Sequence, residues 1–130
     1  MIGQGEILAS PLAMAGVAAT VADGRWHAPR ILATDPRRSG PPLPAGELDE
    51  LRALMRDVIV SGSGTALADV PGEPIGKSGT AEYGSGDPPP THAWFIAARG
   101  DLAAASLVED KPSGGQFAAP IVARFLRALG

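Results

Sequence analysis

Residues 75–108 read IGKSGTAEYGSGDPPPTHAWFIAARGDLAAASLV and contain three apolar runs separated by turn residues. Ile75 to Tyr83 predicts a strand, and a loop rich in glycine and proline follows it. His92 to Ala98 and Leu102 to Val108 predict two more strands. Only Arg99 to Asp101 joins these last two runs, which is short enough for an antiparallel hairpin. The stretch therefore predicts an antiparallel sheet.

Helical patterns precede and follow these three strands in the sequence. Ser10 and Pro11 are typical of a helix start, and Gly24 suits the C-terminal cap. A second helix is predicted from about Glu47 and a third over Phe117–Leu129. The apolar residues expected on the inner faces are Leu12, Met14, Val17, Ala18 and Val21, then Leu48, Leu51, Leu54, Met55, Val58 and Ile59, then Ile121, Val122, Phe125, Leu126 and Leu129.

The order of these elements predicts the fold class. Two helices, three strands and a final helix indicate an α+β fold in which helices flank an antiparallel sheet. We expect one unit over residues 1–130, mainly helical over 1–70, with the strands and last helix over 71–130. Residues 28–31 are expected to be extended, and residues 35–44, with four prolines, to form an exposed loop.

Composition excludes several classes of function. The 130 residues carry a net charge of -3 and no cysteine, so a disulfide framework, a thiolate nucleophile and a cysteine-based zinc site are excluded. Arg37-Arg38 is the densest basic spot, too little to predict a nucleic-acid partner. Two isolated histidines, His27 and His92, predict no metal site, and no cofactor is expected. No apolar run reaches the roughly 18 residues of a membrane span, so we expect a soluble chain.

One short motif has the chemistry of an anion-binding site. Residues 76–82 read GKSGTAE, in which an ammonium, hydroxyls and glycines stand together. An exposed turn with an ordinary lysine is one alternative. A nucleotide-binding phosphate loop is another, but its pattern requires glycine where the chain has Pro71, and a helix after Lys77.

The motif is one of several segments of the chain that resemble a single protein family and occur in that family's order. Lys77 to Glu82 resembles the K-T-G-T-A-E strand of class B penicillin-binding proteins, with Ser78 in place of the commoner threonine. The other segments that resemble this family, in family order, are Ile2-Gly3-Gln4-Gly5, Ser10-Pro11-Leu12-Ala13-Met14-Ala15, Asp23-Gly24, Thr91-His92-Ala93-Trp94-Phe95, Gly114-Gly115 and Ala118-Ala119-Pro120-Ile121. With its composition, the chain is most similar to the penicillin-binding protein A group of high-GC Gram-positive bacteria.

The resemblance implies a peptidoglycan D,D-transpeptidase with a serine β-lactamase-like fold. Its substrate and β-lactam-binding strand would comprise Lys77, Ser78, Gly79 and Thr80. Lys77 would supply positive potential toward the ligand carboxylate, Ser78 and Thr80 would hydrogen-bond around it, and the Thr80 N–H would join an oxyanion hole. Supporting residues would be Ala81, Glu82 and Trp94. His92 is expected to be structural.

The family's other two motifs are absent. None of the eight serines has a lysine three positions on, so S-x-x-K is missing, and without asparagine S-x-N cannot exist. We therefore expect the C-terminal portion of a transpeptidase domain, inactive by itself, whose partners are the N-terminal part of the same protein, stem peptides and β-lactams. The resemblance also implies a plasma-membrane anchor and an extracytoplasmic domain for the parent protein.

The expected absence of the N-terminal portion would have a structural consequence. In the family, the last strand pairs with a strand from the start of the domain. If Leu102 to Val108 is that last strand, its exposed edge predicts a homodimer or a domain swap. A non-enzymatic binding module that keeps the half-fold remains the alternative to a transpeptidase fragment.

Overall fold

The structure, a computed structural model, describes residues 7–130 and has helices on both faces of a small sheet. Its helices and strands are α1 (Pro11–Asp23), β1 (Arg25–His27), β2 (Ser39–Pro42), α2 (Ala45–Val60), β3 (Ile75–Glu82), β4 (Thr91–Arg99), β5 (Leu102–Val108) and α3 (Ala119–Ala128). A 3-10 turn at Thr65–Leu67 follows α2, and a π-helical turn at Gly114–Ala118 precedes α3. The segment Ile2-Gly3-Gln4-Gly5, one of those that resemble the family, lies outside the described residues.

The sheet confirms the predicted α+β class. Its order is β3-β4-β5, and both strand pairs are antiparallel. Ser78 lies opposite Phe95, which in turn lies opposite Ser106, so these three residues form one row across the sheet. Gly100 turns the β4–β5 hairpin with a φ of 56°, a conformation that glycine adopts without strain.

The two faces of β4 meet different helices, because side chains alternate along a strand. Ala93, Phe95 and Ala97 pack with α3 and the end of α2 in one apolar cluster. Ile96 and Ala98 pack against α1 in a second cluster. The start of β3 is covered by α2 through a third cluster, and the sheet is therefore enclosed on both faces.

The first helix begins and ends as predicted. The Ser10 hydroxyl accepts a hydrogen bond from the Ala13 N–H at 3.1 Å, and Pro11 occupies the first turn. Gly24 closes the helix with a φ of 84°, and its N–H donates to the Thr20 carbonyl.

The inner faces predicted for the three helices included too many residues. The expected core residues that are instead substantially exposed are Leu12, Val17, Leu51, Leu54, Ile121, Phe125 and Leu129. The last helix also starts at Ala119 rather than Phe117, and its buried side is built on Ala119, Val122, Ala123 and Leu126. Alanines let the helix approach the sheet closely, so the larger side chains remain at its flanks.

The prediction of an extended segment at residues 28–31 was wrong. The strand lies just before it, at Arg25–His27 (β1). It pairs with β2, which falls within residues 35–44, where a loop was expected. The left-handed turn at Gly24 reverses the chain immediately after α1. The Gly24 carbonyl then accepts from the Leu43 N–H at 2.8 Å, and the Arg25 guanidinium donates to the Gly40 carbonyl at 3.2 Å.

Candidate functional site

The four motif residues lie on β3, an edge strand of the three-stranded sheet that the described residues form. Lys77 and Thr80 are exposed, whereas Ser78 and Gly79 are half-buried. The Lys77 ammonium donates to the Ser78 carbonyl at 2.8 Å. This edge strand therefore carries a cation and two hydroxyls within four residues, and the side chains of Lys77 and Thr80 are accessible.

The Ser78 hydroxyl has a partner that the sequence analysis missed. Its Oγ lies 2.7 Å from the Oγ of Ser63, which belongs to the turn after α2. The Gly64 N–H donates to the Val58 carbonyl at 2.8 Å and fixes this turn to the helix. The serine and glycine run over residues 61–64 was visible as a helix end, but its contact with β3 depends on tertiary packing.

A pair of glycines brings the π-helical turn against this strand. A Cβ on Gly114 would stand 2.1 Å from the Trp94 carbonyl oxygen and 2.7 Å from that of Gly79. A Cβ on Gly115 would stand 2.4 Å from the Ser63 carbonyl oxygen. The two glycines therefore allow three segments, β3, β4 and the Ser63 turn, to meet at one place.

The far end of β3 is tied to the segment that follows β5. The Thr80 hydroxyl lies 3.5 Å from the Pro112 carbonyl, at the limit of a hydrogen bond. The Tyr83 phenol donates to the Asp110 carboxylate and stacks on the His92 ring with centroids 4.1 Å apart. The Asp110 N–H donates in turn to Nδ1 of His92 at 3.3 Å, a contact that fits a structural histidine.

The hydrogen bond to Asp110 raises the pKa of the Tyr83 phenol, with smaller contributions from burial and from the charges of Asp110 and Glu109. A carboxylate acceptor favours the protonated phenol and opposes a second negative charge beside it. Tyr83 is therefore held neutral as a hydrogen-bond donor.

The predicted supporting residues differ in exposure. Trp94 is half-buried. It lies close to the motif, where a Cβ on Gly79 would stand 3.3 Å from the Trp94 Cβ. Ala81 is also half-buried, and Glu82 is exposed at the end of β3. Phe95, next to Trp94, faces the opposite side and is fully buried.

The arrangement is suited to binding an anion along a strand. Lys77 stands inside β3, not at a loop that leads into a helix, so the phosphate-loop alternative lacks its required geometry. Within residues 7–130, no group of three histidine or acidic side chains lies together as a metal site would require. No helix over the same residues is long and apolar enough to cross a membrane.

Comparisons with known proteins point to one family. The family model described as "Penicillin binding protein transpeptidase domain" matches residues 1–127. Among solved structures, penicillin-binding protein A of M. tuberculosis, in a ceftriaxone acyl-enzyme complex, matches 99% of this chain with 31% identity and a TM-score of 0.79. No curated protein matches the chain.

Two further structures are similar. Penicillin-binding protein PBP2 of Helicobacter pylori, solved in complex with MreC, matches 99% of this chain with 25% identity and a TM-score of 0.79. The D,D-transpeptidase domain of a peptidoglycan glycosyltransferase from Eggerthella lenta matches 94% with 26% identity and a TM-score of 0.69. The chain spans 34%, 26% and 33% of the three solved chains, respectively.

Proposed function

The chain belongs to the penicillin-binding protein transpeptidase family, and from this premise we propose that its β3 strand forms the substrate-binding wall of a peptidoglycan D,D-transpeptidase. The single observation that carries the proposal is the placement of Lys77, Ser78 and Thr80 along an accessible edge strand. The ligand would be a stem peptide ending in D-alanyl-D-alanine, or a β-lactam with the corresponding carboxylate.

Each motif residue has a distinct role in this proposal. The Lys77 ammonium attracts the ligand carboxylate, and the Ser78 and Thr80 hydroxyls donate hydrogen bonds to it or its surroundings. The ligand backbone adds to β3 as a further strand, which aligns its carbonyl with the Thr80 N–H. That N–H stabilises the oxyanion that develops when a serine attacks the carbonyl.

The nucleophile must come from outside these 130 residues. S-x-x-K and S-x-N are both absent from the sequence, and the chain spans about a third or less of each solved chain described above. In the complete site, the serine attacks the D-alanyl carbonyl, its lysine assists the proton transfer, and the terminal D-alanine leaves. The chain alone then binds ligand without acylation.

The complete protein would have partners beyond these 130 residues. Its partners would be the N-terminal part of the same protein, which supplies the two missing motifs, and the stem peptides of the cell wall. A membrane anchor in that part would place the domain outside the cytoplasm, where peptidoglycan is cross-linked.

Lys77 can be tested against the chain's other lysine, Lys111. N-acetyl-D-alanyl-D-alanine would be titrated into the 130-residue chain and followed by the NMR signals of the β3 amides. We expect Lys77→Met to weaken binding about tenfold or more, because a hydrogen bond from a charged donor is lost. Lys111→Met should bind like the unaltered chain. Equal losses in both variants, or equal binding of the L,L-dipeptide, would contradict the proposal.

A labelling experiment separates a transpeptidase fragment from a non-enzymatic binding module. Fluorescent penicillin should leave the chain alone unlabelled, and a covalent adduct should form when the chain is combined with a family segment that carries S-x-x-K and S-x-N. Stoichiometric labelling of the chain alone would show a nucleophile that the proposal does not contain. Ligand binding with no adduct in the combined system would favour the binding module.

A further inference from the structure

We infer that Ser63 is a positioning residue, which directs the hydroxyl proton of Ser78 toward the carboxylate of a bound ligand. The inference rests on the proposed function, because it concerns the same carboxylate. Its starting point is the distance of 2.7 Å between the two hydroxyl oxygens, which come from separate segments of the fold.

The chemistry of a hydroxyl pair gives Ser63 this role. A serine hydroxyl has one proton to donate and two lone pairs that accept. When two hydroxyls are in contact, one donates to the other, and the proton of the acceptor stays available for a third group. An ionised carboxylate only accepts. With a ligand bound, the stable arrangement has Ser63 donating to Ser78 and Ser78 donating to the carboxylate.

Ser63 is held in place for this contact from two sides. The turn that carries it is bonded to α2 through the Gly64 N–H and the Val58 carbonyl. Gly115 packs so closely on the Ser63 carbonyl that a Cβ there would approach to 2.4 Å. Because the backbone of Ser63 is fixed, its Oγ is held within reach of Ser78 before any ligand arrives, and less conformational freedom is lost on binding.

The same turn offers a matched control. Ser61 is also an exposed serine, but its hydroxyl lies 3.4 Å from the Asp57 carbonyl at the end of α2. Ser61→Ala therefore removes a hydroxyl from the same turn without touching the contact with Ser78. A loss confined to Ser63→Ala isolates the hydroxyl pair from a general effect on the turn.

The experiment compares two probes that differ only in the C-terminal group, a carboxylate that only accepts hydrogen bonds and a neutral amide that both accepts and donates. N-acetyl-D-alanyl-D-alanine and its C-terminal amide are titrated into the 130-residue chain and followed by the NMR signals of residues 77–80. We expect Ser63→Ala to weaken binding of the acid about 2- to 10-fold, the range of one oriented hydrogen bond. Binding of the amide should be weakened less, because its NH2 group can also donate to the Ser78 hydroxyl, and Ser61→Ala should match the unaltered chain with both probes.

A second comparison tests the route through Ser78. In a chain that already carries Ser78→Ala, the further change Ser63→Ala should have no effect on binding of the acid. Equal weakening of acid and amide, or no change for either, would overturn the role of Ser63 while leaving the proposed function intact. Failure of the unaltered chain to bind the acid would overturn both.

Discussion

At the scale of single residues, the ionisation of Tyr83 reports the contact between the end of β3 and the segment that follows β5. Its phenol donates to the Asp110 carboxylate, and this hydrogen bond raises the pKa of Tyr83 above its ordinary value of 10.0. Asp110 also binds His92 through its backbone N–H, so one residue links β4 to the segment after β5. The segment includes Pro112, which Thr80 contacts.

We expect Asp110→Asn to return the pKa of Tyr83 toward its ordinary value, because an amide accepts a weaker hydrogen bond than a carboxylate and lacks its charge. Tyr83 is the only tyrosine of the chain, so the phenolate absorbance in a pH titration reports it alone. Asp101→Asn, in the β4–β5 turn, serves as the control and should leave the titration unchanged. An ordinary pKa in the unaltered chain would contradict the contact.

The direction of this pKa shift also fixes a stability change. A phenol whose pKa is higher in the folded state stabilises the fold below the unfolded pKa, and the contribution is lost as the pH rises through the folded pKa. Urea unfolding of the unaltered chain should therefore show stability falling above about pH 10, the ordinary tyrosine value. Asp110→Asn should reduce the part of this fall that comes from Tyr83.

At the scale of elements, the approach of the π-helical turn to β3 and β4 depends on Gly114. A Cβ there would collide with two backbone oxygens, which cannot rotate away as a side chain can. We expect Gly114→Ala to lower the free energy of unfolding by about 3 kcal/mol, at the upper end for overpacking. Chemical denaturation measures the change directly.

Gly16 provides the matched control for this substitution. It lies within α1, where a Cβ would meet nothing within 4 Å. Gly16→Ala should stabilise the chain by about 0.5–1 kcal/mol, because alanine loses less conformational freedom than glycine on entering a helix. Similar destabilisation by both substitutions would show that the crowding at Gly114 is not the cause.

The elements also show what could be predicted from the sequence. The β3–β5 strands and the α1 caps were predictable, because periodicity, Ser10 and Gly24 act over a few residues of chain. The Ser63–Ser78 contact joins residues fifteen positions apart through the packing of two segments, and no local signal carries it. The exposed flanks of α3 were missed because periodicity gives the direction of a helix face but not how closely alanines let it approach.

At the scale of the whole molecule, β5 is an edge strand of the three-stranded sheet that residues 7–130 form, and nothing in these residues pairs with its outer side. β5 ends the strand order, and an apolar groove runs beside it between the start of α1 and α3. Leu12, Ile121 and Phe125 line this groove, and each is about half exposed. An edge strand between exposed apolar side chains is a template for pairing with another strand.

In a longer member of the family, a strand of the same protein would fill this edge, as the resemblance implies. In the 130-residue chain, β5 of a second copy is the strand available to pair with this edge. Antiparallel pairing of β5 with its symmetry mate would extend the sheet through a two-fold axis and bring the same groove residues together from both copies. The interface would then be self-complementary and would need no other component.

We therefore expect the chain to associate through β5, and light scattering over a series of concentrations should show a mass rising from 13.2 kDa toward twice that value. Phe125→Lys should shift the association to higher concentration, because a charge would enter the apolar groove and repel its symmetry mate. Val60→Lys, which replaces a similarly exposed apolar residue on α2, should associate like the unaltered chain. A monomeric mass at every concentration, with folding verified by circular dichroism, would contradict association through β5.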